Sequence, residues 1–344
     1  MTNAGSLDRA ARGNGQLESS PSERLPRAFL YDAGPDDGHI SIHDVEVEAL
    51  TAEQLLWVDV SGDRDVGPAA VALGLRPESV RALGDSPAKP ALFTHDGYVH
   101  LIVIAPGKDD TGTHTAHLLH CFAGSNWILT VHRRPIGFLG DFDERMRGNT
   151  NAGKIDSHGF LAAILHDHVA SYLSELRPIE ADLDRLDLRT MTGRIDDEEL
   201  LRALVATRLR LAKLRRLLEP HREVYPLLAQ SEFAVLSGSS EASDFETLTS
   251  LLERTLQAME TTREMIVGSF EIYTTWTAHA TNKVMKRLTV ASVTILPPTL
   301  LAGIMGMNSL PAALSSTLAF WISTAAMSSL ALATITLAWL RHWV

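Results

Sequence analysis

Two uncharged runs near the C-terminus constrain this chain more than any other feature. Leu288–Met307 reads LTVASVTILPPTLLAGIMGM, 20 residues without a charge, and Leu314–Leu340 is a second and longer one. A helix needs about 20 apolar residues to cross the hydrocarbon core of a bilayer. Only NSLPAA separates the two runs, so they read as a membrane hairpin. The competing reading, a buried core hairpin of a soluble protein, does not readily account for two uncharged stretches of this length. NKVMKR precedes the first run and RHW follows the second. Basic residues flank the cytoplasmic ends of membrane spans, so both termini are expected in the cytoplasm.

The remainder is a different material. All 42 acidic residues lie at or before Glu271, whereas only Lys283, Lys286, Arg287 and Arg341 are basic beyond it. Taking those four from the 31 basic residues leaves 27 against 42, a net charge of −15 for the first 271 residues. Such a body lacks the basic excess that phosphate neutralisation demands, which argues against nucleic acid as a partner. An acidic field gathers cations instead. Cys121 is the lone cysteine, so no internal disulfide forms and a reducing compartment fits. Residues 1–27 are rich in Gly, Ser and Asn and lack an apolar core, and are expected to be a disordered tail rather than a signal peptide or span.

The fold class expected is α+β. Residues 28–152 carry short β-rich runs, RAFLYD, LLWVDVSG, ALFTHDGYVHLIVIAP, THTAHLLHCFAG and NWILTVH, separated by Gly, Pro and Asp. They predict a mixed α/β cytoplasmic domain. Residues 153–287 form a helical and stalk region, with helices over Phe160–Met191 and Asp197–Phe233. Asp196 with Glu199, and Ser243 with Glu246, have capping-box form. From Phe245 through Leu248, Leu252, Leu256, Met259, Ile266 and Phe270 to Tyr273 the apolar spacing stays helical, and Gly268 is the single weak point. One helix of ~90 Å is therefore expected to run from the cytoplasm into the membrane. A helix so long needs partners along its length, which predicts an oligomer. The spans are placed at 288–308 and 314–340, with an outer loop at 309–313.

Few residues suggest site chemistry in the soluble part. HTAHLLHC places His114, His117, His120 and Cys121 close together, and imidazole and thiolate suit zinc. On a strand, however, His114 and His120 face one way and His117 the other, and the spacing matches no closed zinc site. There is no P-loop, no HExxH and no nucleophile-elbow pattern, so nothing supports an enzyme.

In the first span, projection at 3.6 residues per turn sets Met285, Leu288, Ser292, Leu296, Thr299 and Gly303 on one stripe. Val290, Val293, Leu300, Leu301 and Ile304 fall elsewhere. A stripe of small and hydroxyl residues serves close helix packing or lines a pore, and periodicity alone does not choose. Pro297-Pro298 is tolerable inside a packed membrane bundle.

The run ends on Gly306-Met307-Asn308. The stretch NKVMKRLTVASVTILPPTLLAGIMGMN, Asn282–Asn308, resembles the CorA family of divalent-cation transporters, which carries a GMN signature at this place. LLWVDVSG, LGLRP and YVHLIVI resemble the family's early segments, and the likeness in layout extends from Phe29 to Val344. The resemblance implies a CorA-like funnel, a homopentamer in the plasma (inner) membrane whose first spans line the pore and whose second spans surround them. It implies pore-lining positions at Asn282, Met285, Leu288, Leu296, Thr299 and Gly303, and a selectivity mouth at Gly306, Met307 and Asn308. It implies no tightly bound cofactor: the metal is cargo, Mg²⁺ first, with Co²⁺ and Ni²⁺. Mg²⁺ gives up water reluctantly, so a ring of Asn308 amides is expected to hydrogen-bond the hydrated ion. Met285, Leu288 and Leu296 would close an apolar constriction.

Several positions depart from the family pattern. Met305 stands where Tyr is usual, and the outer loop SLPAALSS has no acid. The soluble domain's acidic pair is matched by Arg81 and Ala82, and Glu271, which would hold the stalk carboxylate as a metal ligand, lacks its expected partner. These departures lean toward the zinc-transporting, ZntB-like branch, although retention of Met307 leans away from it. A membrane-anchored scaffold or sensor that conducts nothing is the remaining alternative. It explains the stalk and hairpin but not the stripe ending at Asn308.

Overall fold

The structure is a computed structural model that describes residues 26–32, 38–42, 45–51, 54–62, 64–84, 89–108, 114–146, 156–192, 197–230, 242–305 and 317–340. The chain divides into two compact units, Met1–Glu264 and Met265–Val344.

The first unit is built on a seven-stranded sheet: β1 (Arg27–Asp32), β2 (Gly38–Ile40), β3 (Gln54–Ser61), β4 (Ala91–His95), β5 (Tyr98–Lys108), β6 (His114–Ala123) and β7 (Trp127–His132). Their spatial order is β2-β1-β3-β7-β6-β5-β4. Neighbours are antiparallel except β3 and β7, which run parallel with Leu56 beside Trp127 and Ser61 beside His132. A parallel pair needs a long crossover, and here α1 (Gly67–Ala72), α2 (Pro77–Ala82) and β4–β6 lie between the two strands.

Side chains alternate along β3 and separate two cores. Leu56, Val58 and Val60 join Ala69, Leu73, Tyr98 and Phe122 in one buried cluster. Trp57 joins the other, where its ring meets Phe29 at 5.8 Å, Phe142 at 5.7 Å and Phe160 at 5.5 Å. Phe142 and Phe160 come from α3 (Gly137–Met146) and α4 (Ser157–Met191). The start of α4 is fixed locally: Asp156 accepts from the Gly159 N–H at 2.8 Å, and the Ser157 hydroxyl donates to the Gly124 carbonyl at 2.6 Å.

The expected helix over Asp197–Phe233 is interrupted. α5 (Asp197–Leu218) gives way to a 3₁₀ turn at Glu219–Glu223 and then to α6 (Tyr225–Gln230). Pro220 and Pro226 are the cause, since neither donates a backbone hydrogen bond and both crowd the preceding turn. The break sets His221 and Tyr225 against the sheet. β4 begins at Ala91, opposite Ile102, so among the described residues no strand pairs with Ile104 on this edge. Its N–H donates to His221 Nε2 at 3.1 Å, and its carbonyl accepts from His168 Nε2 at 2.8 Å and the Tyr172 hydroxyl at 2.6 Å. Tyr225 completes the set by donating to His168 Nδ1 at 2.7 Å. Helix side chains thus do the work of a missing strand.

α7 (Ala242–Met305) is one helix of 64 residues, and α8 (Thr317–Leu340) follows. In the first unit, Phe245, Leu248, Leu252, Leu256 and Met259 form the buried row of α7. Ion pairs Arg222–Glu253 and Arg215–Glu260 tie it to the turn after α5 and to α5. In the second unit, the end of α7 and α8 are each long and apolar enough to cross a membrane.

Candidate functional site

The predicted pore residues all lie on α7. It remains helical through Pro297 and Pro298, although these prolines cannot donate to the Val293 and Thr294 carbonyls four residues back. Hydroxyls bond along the helix: Thr289 donates to the Met285 carbonyl at 2.8 Å, and Thr299 to the Ile295 carbonyl at 2.8 Å. The stripe therefore keeps its register across the prolines. Asn282, Met285, Leu288, Leu296, Thr299 and Gly303 are all exposed, and Ser292 is half-buried.

Leu288 is 58% and Leu296 67% exposed. Leu296, Thr299 and Gly303 share a shallow apolar groove with Ile295, Leu300 and Ile304. A Cβ added at Gly303 would meet no atom within 4 Å. Lys283, Lys286 and Arg287 form an exposed basic band just before the apolar run, in keeping with the basic flank of a membrane span.

The other predicted residues are scattered. Glu271 is exposed and, among the described residues, has no ion-pair partner. Gly306, Met307 and Asn308, together with the outer loop at 309–313, lie outside the described residues. Arg81 lies in the last turn of α2, exposed and paired with Glu78 at 3.6 Å. The histidines of β6 are drawn apart. His120 shares a hydrogen bond of 3.1 Å with His100, His117 bonds the Thr115 hydroxyl at 3.2 Å, and His114 stands 3.8 Å from Glu175. Burial pushes the His120 pKa down to about 4 and raises the Cys121 thiol to about 12. No group of three or more His, Cys, Asp or Glu placed to hold a metal occurs among the described residues.

Residues 52–342 match the sequence family described as CorA-like Mg2+ transporter protein. The chain belongs to this family. It is a divalent-cation transporter of the CorA type. The cobalt/magnesium transport protein CorA of Methanocaldococcus jannaschii is 24% identical over 297 residues, which is 83% of this chain and 91% of that protein. The divalent cation transporter CmaX of Pseudomonas aeruginosa is 24% identical over 304 residues, 85% and 88% of the two chains. In structure, the M. jannaschii CorA magnesium transporter superposes with a TM-score of 0.74 at 20% identity, covering 92% of this chain and 98% of that one. The ZntB cytoplasmic domain from Vibrio parahaemolyticus gives 0.58 at 12% identity, over 73% and 97%. These likenesses establish the CorA fold: a mixed α/β domain, a long helix and two C-terminal apolar helices. The relatives are transporters rather than enzymes.

The sequence reading missed two features of this CorA chain. One is the polar set around Ile104, signalled only by His and Tyr at apolar positions. The other is the bond between the two apolar helices, from Thr294 Oγ1 to Thr334 Oγ1 at 3.3 Å. Hydroxyls within uncharged runs were its only sign.

Proposed function

We propose that five copies of this chain enclose a path by which Mg²⁺ crosses the plasma membrane into the cytoplasm. In this reading 28–152 and 153–287 are cytoplasmic, 288–308 lines the path, 309–313 turns outside, and 314–340 surrounds it. The supporting observation is the exposed stripe of Met285, Leu288, Leu296, Thr299 and Gly303 on one unbroken helix. Lipid would satisfy an apolar face, but a row that mixes a hydroxyl and a glycine with leucines suits a narrow lumen shared by copies.

The chemistry follows from hydration. Mg²⁺ keeps its waters, so the outer rim needs neutral acceptors more than carboxylates, and Asn308 amides beside Gly306 and Met307 supply them. Met285, Leu288 and Leu296 then form an apolar neck that a hydrated ion passes only when it widens. Asn282 ends the neck on the inner side. Glu271, about three turns before Asn282 on nearly the same face, offers the departing ion a carboxylate. A potential of 100 mV, inside negative, favours a divalent ion by ~4.6 kcal/mol, twice the single-charge value.

The test reconstitutes the full chain in liposomes and compares Mg²⁺ and Zn²⁺ flux, with and without a proton gradient, after the mass of the assembly is measured. Pentamers carrying Mg²⁺ under potential alone are expected. Zn²⁺ flux that needs the proton gradient would move the chain to the zinc branch, and a monomer would end the pore reading.

A further inference from the structure

The parallel pair β3 and β7 opens both carboxyl ends on one edge of the sheet, where open α/β sheets commonly hold ligands. A cavity of about 440 Å³ lies there. Its lining includes Arg64, Arg133, Arg134, His117, His120 and His132, and no acid among the described residues. The body around it is strongly acidic, so three arginines at one cavity, Arg64, Arg133 and Arg134, are not a sample of the average surface. The apolar part of its wall comes from Val60, Val66, Leu83, Leu118 and Val131, and Val131 pairs across the strands with His120.

Bonds between the strand ends hold the rim in place. Gly62, with φ of +70°, turns the chain after β3 and donates its N–H to the His132 carbonyl at 3.0 Å. His132 donates from Nδ1 to the Arg134 carbonyl at 2.7 Å, fixing the turn that carries both rim arginines. Behind it, Asp59 lies 3.3 Å from His132 Nε2 and accepts from the Thr130 hydroxyl at 2.7 Å. Burial disfavours the His132 imidazolium, but the hydrogen bond and charge of Asp59 outweigh it and raise the pKa. Asp65, the next described acid along the chain, accepts from the Gly67 N–H at 2.8 Å. Arg133 and Arg134 are exposed and, among the described residues, have no acidic partner.

Like charges held together at a concave rim are unfavourable unless something neutralises them. Guanidinium forks fit phosphate bidentately, and a dianion matches two rim arginines better than a single carboxylate does. We infer that the cavity at the ends of β3 and β7 binds a small organic phosphate, with its phosphate on Arg133 and Arg134 and its organic part along Val66, Leu83 and Leu118. Nothing in the transport path is needed for this binding, so the site offers the soluble body a means of responding to a metabolite.

The test is titration calorimetry on the full-length protein in detergent with AMP, inorganic phosphate and adenosine as probes. AMP is expected to bind, phosphate to bind more weakly, and adenosine to show no heat. Loss of a charge-assisted pair typically weakens binding about tenfold to a hundredfold. The double variant Arg133→Gln/Arg134→Gln should lose at least that for AMP while its melting temperature without ligand stays unchanged. Phosphate binding as tightly as AMP would overturn the role of the apolar wall. Unaltered AMP affinity in the double variant, or no binding of either anion, would overturn the site.

Discussion

The Thr294 hydroxyl lies 3.3 Å from that of Thr334, joining the first apolar helix to the second. The Thr334 hydroxyl also donates to the Ala331 carbonyl of its own helix at 2.9 Å. Such bonds between membrane helices contribute about 0.6 kcal/mol on average, because the separated helices find other partners.

Thr294→Ala should therefore lower the thermal stability of the solubilised protein only slightly. The double variant Thr294→Ala/Thr334→Ala should be no less stable than the worse single variant, since both remove the same bond. Losses that add fully in this cycle would show that the two hydroxyls act independently.

Gly303 gives a sharper contrast between one chain and its assembly. A Cβ there meets nothing within 4 Å in a single chain, and alanine favours a helix by about 1 kcal/mol over glycine. Gly303→Ala is expected to preserve expression and secondary structure yet reduce cation flux several-fold, because the added methyl narrows the path between copies. Full flux in this variant would place Gly303 on lipid instead.

The Ile104 set predicts a pH dependence of stability. Burial lowers the His168 pKa to about 4, against a hydrogen bond to the Ile104 carbonyl that raises it. Burial likewise pushes His221 well below the ordinary value of 6.5, with His168 adding to the effect. The folded state thus resists a proton that the unfolded state accepts near pH 6.5. Stability from these rings is full above pH 6.5 and falls as the pH drops from there toward about 4, by about 3 kcal/mol for His168. Chemical denaturation of the full-length protein across this range checks the slope. Tyr225→Phe, which removes the donor to His168 Nδ1, should cost about 1–2 kcal/mol at neutral pH.

What the chain reveals unaided depends on how local the cause is. The two apolar helices were legible because Leu288–Met307 and Leu314–Leu340 exclude charge residue by residue. β1, β3 and β5–β7 were legible from β-rich runs cut by turn residues, and α7 from its spacing between Phe245 and Tyr273. The pairing of Leu56 with Trp127 was not, since a parallel partner is set by the whole domain's packing rather than by either strand. The cavity beyond β3 and β7 was hidden for the same reason: Arg64 and Arg133-Arg134 are far apart until that pairing forms. The apolar spacing over Asp197–Phe233 is helical throughout, but Pro220 and Pro226 break the helix into α5, a 3₁₀ turn and α6. The stripe from Met285 to Gly303 was visible from periodicity, and the proposal that it lines a pore draws on the resemblance of Asn282–Asn308 to the CorA family.

The most direct test of the transport account is uptake of Mg²⁺ into liposomes holding Asn308→Ala, with an inside-negative potential imposed and the assembly's mass checked alongside. The account predicts an intact pentamer with uptake reduced to the level of empty liposomes. Uptake at the wild-type rate through an intact pentamer would contradict it, because the hydrated ion would then cross without the amide rim.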